Sequence, residues 1–406
     1  MKMILILSSA LLALVVLSGC TGGNIIGRAE GWTPLAIDES IIYVASSDGH
    51  VVALDPNALE RDEDAAPIWE YEPPTQERGV GSVFNPPAIG DSFVFVGGSV
   101  NVDNDETGRL VALRKDRRSS SRLEEDEWEE NLPGAIIGSP VVANGMVLVG
   151  SEDGNLHAFS EIDGARLWIF PTDGLREGKE KDKRIWSTPV VKDEIAYFGA
   201  MDDYLYAISI SNDAGLSADD RTLWKFKTNG AIVTKPIIID ELLIFGSFDR
   251  KIYALDISEP SHSNKERLLW SYQGDNWYWA GVVTDGSTVY VASMDGKVNA
   301  LPIDRREKDL PLWEIELNDS ISSTPFLAGS DLIVATDQGK ISFIDSFSGQ
   351  AIKVAKDIDS EIRAPLTGTV IGDSAMVYVG DKDGVVRAID LDGWRFRWEF
   401  ATATKE

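Results

Sequence analysis

The chain has one cysteine, Cys20, among 406 residues, so no disulfide can form within a molecule and no thiolate cluster can hold a metal. Histidine is nearly as scarce: His50, His157 and His262 show no metal-ligand spacing. Basic residues are in deficit, 38 against 66 acidic ones, for a formal net charge of -28. Such a field repels phosphate backbones and argues against nucleic acid as a partner. No glycine-rich phosphate loop or nucleophile elbow is present. The acidic pairs Glu124-Glu125 and Glu129-Glu130 lie on or beside a loop insertion, a poor setting for acid–base catalysis. No heptad or long amphipathic helical period occurs.

What the chain does have is glycine, tryptophan and repetition. Hydrophobic residues make up 43%, with 36 glycines and 12 tryptophans, a folded composition rich in turns and aromatic wedges. One phrase recurs: a small-residue and proline entry, an apolar strand ending in a small residue, an acidic-glycine turn, and two further apolar strands. Ser139-Pro140-Val141-Val142, Val147 to Ser151, Asp153-Gly154, Leu156 to Phe159 and Leu167 to Phe170 show it most clearly. The alanine of the third strand marks the register at Ala53, Ala112, Ala158, Ala207, Ala254, Ala300, Phe343 and Ala388, at intervals of 43 to 59 residues. A tryptophan follows in step at Trp69, Trp128, Trp168, Trp224, Trp270, Trp313 and Trp398; the seventh copy has Lys353 and Val354 there instead. Each unit has four short strands and cannot bury both faces alone, whereas radial packing of eight units can. The expected fold is all-β, an eight-bladed β-propeller of four-stranded antiparallel blades over residues 32–406.

The N-terminus carries a separate signal. Lys2 precedes an apolar run from Met3 to Leu17, too short for a comfortable transmembrane span, and then comes Leu17-Ser18-Gly19-Cys20. That tetrapeptide resembles a bacterial lipobox. The resemblance implies a signal peptide over 1–19, lipid attachment at Cys20, and a short tether over 20–31.

The order Ala388-Ile389-Asp390, Gly393, Trp398, with its counterpart Ala158, Gly164, Trp168, resembles the PQQ-like repeat. With the lipobox and eight copies, the chain from about Trp32 to Phe400 resembles the BamB class of envelope lipoproteins. The resemblance implies a non-enzymatic protein-binding scaffold, exported and lipid-anchored to a bacterial membrane. Its partners would be envelope proteins, among them a membrane barrel or its assembly machinery. A PQQ-dependent dehydrogenase is the catalytic alternative. The methanol type uses a vicinal cysteine pair that one cysteine cannot supply, so no cofactor is expected. A cell-surface glycan-binding module is the third possibility.

Propellers host many activities, so function must be sought in departures from the repeat. Long insertions between third and fourth strands, such as Asn57 to Pro67 and Arg114 to Glu127, crowd one face of the ring. Arg114 to Arg122 is locally basic and offers a place for a partner's acidic group. On the other face, where most copies enter the innermost strand with small residues, the sixth reads Trp277-Tyr278-Trp279 and the fourth brings Arg184 and Trp186. Aromatics and arginine dominate binding hot spots, so these five form the candidate contact patch for a peptide edge or a glycan. The competing expectation is that the rings plug the channel.

Overall fold

The computed structural model describes residues 31–402 except 73–78, 103–104, 119–121, 172–181, 212–215, 218, 305–309, 355–356 and 372–373. The signal sequence, Cys20 and the tether up to residue 30 lie outside the described residues. The described chain forms eight four-stranded sheets, each with its strands in sequence order and every neighbouring pair antiparallel. Blade 1 comprises Leu35–Asp38, Ile41–Ala45, Val51–Leu54 and Trp69–Tyr71; blade 8 comprises Thr367–Ile371, Ser374–Gly380, Val385–Asp390 and Arg395–Ala401. Among the described residues, no strand is exchanged between the ends of the chain. The ring closes through side chains: Thr33 Oγ1 donates to Asp381 O at 2.6 Å and Thr367 Oγ1 to Leu35 O at 3.2 Å.

Burial explains the strand pattern. Second strands such as Met146–Gly150 are buried at every position, because both faces of the sheet meet a neighbouring blade. Fourth strands lie at the rim and alternate, as Thr222–Lys227 does with only Trp224 and Phe226 buried. Among the described residues, eight apolar clusters lie one between each pair of adjacent blades.

The alanine-tryptophan register is a direct cross-strand pairing. Ala53 lies opposite Trp69, Ala158 opposite Trp168 and Ala388 opposite Trp398; the seventh copy pairs Phe343 with Lys353. Each small alanine leaves room for the large ring beside it. The indole N–H groups reach forward into the next blade: Trp69 donates to Lys115 O, Trp270 to Ile303 O and Trp313 to Ser346 O, each at 2.8 Å. The repeat glycine has the matching role. A Cβ on Gly164 would lie 2.7 Å from the Trp128 ring, and one on Gly349 would lie 2.5 Å from Trp313. The glycine of one copy is therefore the seat for the tryptophan of the copy before.

Three of the insertions fill the same seat with arginine. Arg117 lies 5.6 Å over Trp69, Arg221 4.2 Å over Trp168 and Arg267 3.9 Å over Trp224. All three arginines are buried. Arg267 donates to the carbonyl of Asp256, at the end of the third strand, and to those of Glu259, Pro260 and His262 in its own insertion. The locally basic stretch is likewise occupied internally, since Arg117 pairs with Glu127 at 3.1 Å and Arg114 with Asp116 at 2.8 Å. These insertions brace the blades rather than only coating them. Where the seventh copy lacks its tryptophan, Trp394 from the eighth packs on Phe343 with ring centroids 4.4 Å apart.

Candidate functional site

The entries to the innermost strands line the channel. Alternate residues of an extended strand face the same side, and the strand register puts one residue of each blade at each level. The outermost level consists of Trp32, Phe84, Ile137, Trp186, Val233, Trp279, Ser322 and Arg363, most of which join one apolar cluster across the mouth. Two residues further in come Pro34, Pro86, Ser139, Thr188, Lys235, Gly281, Thr324 and Pro365. Behind the mouth the walls enclose a cavity of about 540 Å³, touched by residues from all eight blades.

Four of the five candidate residues meet here. Trp277 stacks on Phe248 with centroids 5.0 Å apart, Phe248 stacks on Trp279 at 5.6 Å, and Trp279 meets Trp186 at 6.0 Å with the rings tilted by 54°. The Arg184 guanidinium lies 4.6 Å over Trp186 and ends the row. Trp277, Phe248 and Trp279 are partly exposed, whereas Trp186 is buried. Phe248 is the member that the sequence reading missed. It occupies the hairpin position that Ser47, Glu152 and Met294 take in other copies.

Tyr278 does not belong to the patch and is corrected here to a packing residue. At 1% exposure it turns between blades 5 and 6 against Ile244, Trp270 and Val289. Residues 277 and 279 face the mouth, and strand alternation sends 278 the other way. Its hydroxyl is buried with no hydrogen-bond partner among the described residues, and burial pushes its pKa well above the ordinary tyrosine value.

Polar groups hold the row in place. Glu152 accepts from Trp186 Nε1 at 2.8 Å and from Arg184 Nη1 at 3.1 Å. Burial raises the pKa of Glu152, opposed by the Trp186 hydrogen bond and the Arg184 charge. Asp182 also binds Arg184, at 2.8 Å to Nε. Burial would raise the Asp182 pKa, but the Arg184 hydrogen bond and charge outweigh it and hold the carboxyl below its usual value. The arginine is thus clamped, with its flat face against the indole and a side-chain exposure of 23%.

No set of groups suited to metal-assisted redox chemistry lines the cavity among the described residues. Among the described residues no three His, Cys, Asp or Glu side chains could together hold a metal ion. A quinone cofactor of the dehydrogenase type needs metal-ligating and catalytic acids beside it, and no described residue lining the cavity is acidic. The lining does not fit that assembly.

Solved structures of known proteins share this architecture. BamB from Moraxella catarrhalis superposes with a TM-score of 0.65 at 18% identity, over 87% of this chain and 95% of that one. The computationally designed Ika8 protein reaches 0.63 at 18% identity, over 89% and 96%. A europium-containing methanol dehydrogenase reaches 0.63 at 15% identity, over 85% and 81%. At these identities the likeness is one of fold. A curated relative, the outer membrane protein assembly factor BamB of Nitrosomonas eutropha, is 26% identical over 134 residues, which span 33% of this chain and 26% of that protein. The aligned stretch is about a quarter of the relative's length. The model of the family described as outer membrane protein assembly factor BamB matches residues 62–212 and 178–399, most of the propeller, and the chain belongs to that family.

Proposed function

We propose that the chain is a non-enzymatic protein-binding scaffold of the bacterial cell envelope, working in outer-membrane protein assembly and held to its membrane by a lipid on Cys20. Family membership supports the assembly role, and the Leu17-Ser18-Gly19-Cys20 motif supports the anchor. The observation that carries the binding reading is the row Trp277, Phe248, Trp279, Trp186 and Arg184 at the channel mouth. Flat rings held by their neighbours contact a partner at little conformational cost, which is why Trp and Arg are over-represented among hot spots. An extended peptide edge of an envelope protein, a membrane barrel or its assembly machinery, suits such a strip. The same ring faces suit a sugar, which makes a glycan the second reading.

The test is in-cell crosslinking of the full-length protein, detergent extraction, affinity capture and mass spectrometry, beside Cys20→Ala and Trp277→Ala/Trp279→Ala variants. A barrel protein recovered with its assembly partners, reduced in both variants while the fold survives, is the expected result. Equal recovery from the double-alanine variant would remove the patch from the interface. Recovery of no protein, with retention on cell-wall polysaccharide that the tryptophans control, would favour the glycan.

A further inference from the structure

The cavity behind the aromatic collar has a chemistry of its own. The chain carries 66 acidic residues, yet none of the described residues lining the cavity is acidic. At the second level of the channel seven copies carry proline, serine, threonine or glycine, and the fifth carries Lys235. Lys235 lines the cavity and its side chain is exposed to the channel. Its pKa is lowered by burial, with no carboxylate acting against that effect.

Hydroxyl donors stand at the same level. Thr188 Oγ1 accepts from the Ser139 amide at 2.9 Å, and Thr324 Oγ1 accepts from the Gly281 amide at 2.8 Å. Each hydroxyl keeps its proton to donate, and both residues line the cavity. Aromatic surface is supplied from above by Trp186 and Trp279. A volume of about 540 Å³ falls within the usual range for small-molecule sites. The surrounding walls disfavour the charged form of the Lys235 ammonium, and an incoming anion would relieve that cost.

We propose that this chamber binds a small organic anion with an apolar or aromatic body, its carboxylate against Lys235, its body against Trp186 and Trp279, and the hydroxyls of Thr188 and Thr324 open to its other polar groups. The site shares Trp186 and Trp279 with the outer strip but lies inward of Trp277 and Phe248, and it does not depend on the assembly role.

The experiment is isothermal titration of the full chain in detergent with 2-naphthoate and with 2-naphthamide, its uncharged counterpart. Wild type, Lys235→Met and Lys235→Arg are compared. A charge-assisted hydrogen bond contributes on the order of ten-fold or more in affinity, so the wild type should bind naphthoate at least about ten-fold more tightly than naphthamide. Lys235→Met should lose most of this preference, any remainder coming from Arg363, the other cation lining the cavity, which pairs with Glu361 at 3.1 Å, and Lys235→Arg should restore it. Naphthoate binding should also weaken as pH rises through the depressed Lys235 pKa, below the usual 10.5 for lysine. Equal binding of both probes by the wild type, no binding of naphthoate, or an undiminished preference in Lys235→Met would each overturn the proposal.

Discussion

Replacing Gly164 by alanine separates the wedge between blades from the turn that carries it. Gly164 has φ +70 and its missing Cβ faces Trp128 at 2.7 Å, whereas Gly145 has φ +72 and nothing within 4 Å. Alanine in the left-handed region costs about 1–2 kcal/mol at either site. Only at Gly164 must a ring also move, and Trp128 is held by Phe95 and Phe159 at 5.7 and 6.5 Å and by its N–H to Glu161 O at 3.3 Å. Overpacking of this kind costs about 1–3 kcal/mol more. Gly164→Ala should therefore destabilise by about 2–5 kcal/mol and Gly145→Ala by about 1–2 kcal/mol. In a domain of this size one kcal/mol moves Tm by only about 1–2 °C, so the assay is the midpoint of equilibrium guanidinium unfolding. Gly349→Ala, which meets Trp313, should follow Gly164. If Gly164→Ala is no more destabilising than Gly145→Ala, the glycine is a turn residue alone and the seating argument is wrong.

Other substitutions address the remaining links. Arg117→Met strips the partner from Glu127, whose side chain like that of Arg117 is fully buried, and should cost about 3–5 kcal/mol; a denaturation midpoint close to wild type would contradict this. Tyr278→Phe removes a buried hydroxyl that has no partner among the described residues, so stability should stay level or rise by about 1 kcal/mol, and a loss of that size would reveal a hidden bond. Lys235 has a folded pKa below its unfolded value. Between the two the unfolded chain holds the extra proton, so wild-type stability should gain as pH rises through that window towards 10.5. Lys235→Met lacks this gain, and its stability advantage at pH 7 should shrink accordingly; parallel pH profiles for the two proteins would refute the assignment.

Most of the fold was legible because the repeat is local. The alanine and tryptophan recur at fixed distance along the chain, and the structure pairs them across adjacent strands, as at Ala207 and Trp224. What the tryptophan packs against was not legible, because its partner belongs to the next blade. Gly164 serves Trp128, 36 positions earlier, and that link exists only once the ring is assembled. The same reason hid Arg117, Arg221 and Arg267, which look like ordinary loop arginines until each is set over the preceding tryptophan. It also hid Trp394, whose value lies in a gap left by the copy before.

The channel mouth divides along a different line, between what breaks the repeat and what strand geometry allows. Trp277, Trp279, Trp186 and Arg184 were visible as large residues in slots that other copies fill with small ones. The residue between them was misjudged although the parity rule was already available: a strand cannot send 277, 278 and 279 to one side. Phe248 and Lys235 were within reach by the same comparison. Phe248 stands where Ser47 and Glu152 stand, and Lys235 precedes its proline where Ser139, Thr188 and Thr324 precede theirs. In a propeller the conserved phrase specifies packing between blades, so each copy's deviations at the inner strand and its hairpin are free to carry binding. Departures that recur at one channel level, on one side of the strand, are therefore the candidates for binding, and isolated departures on the opposite side, like Tyr278, belong to the core.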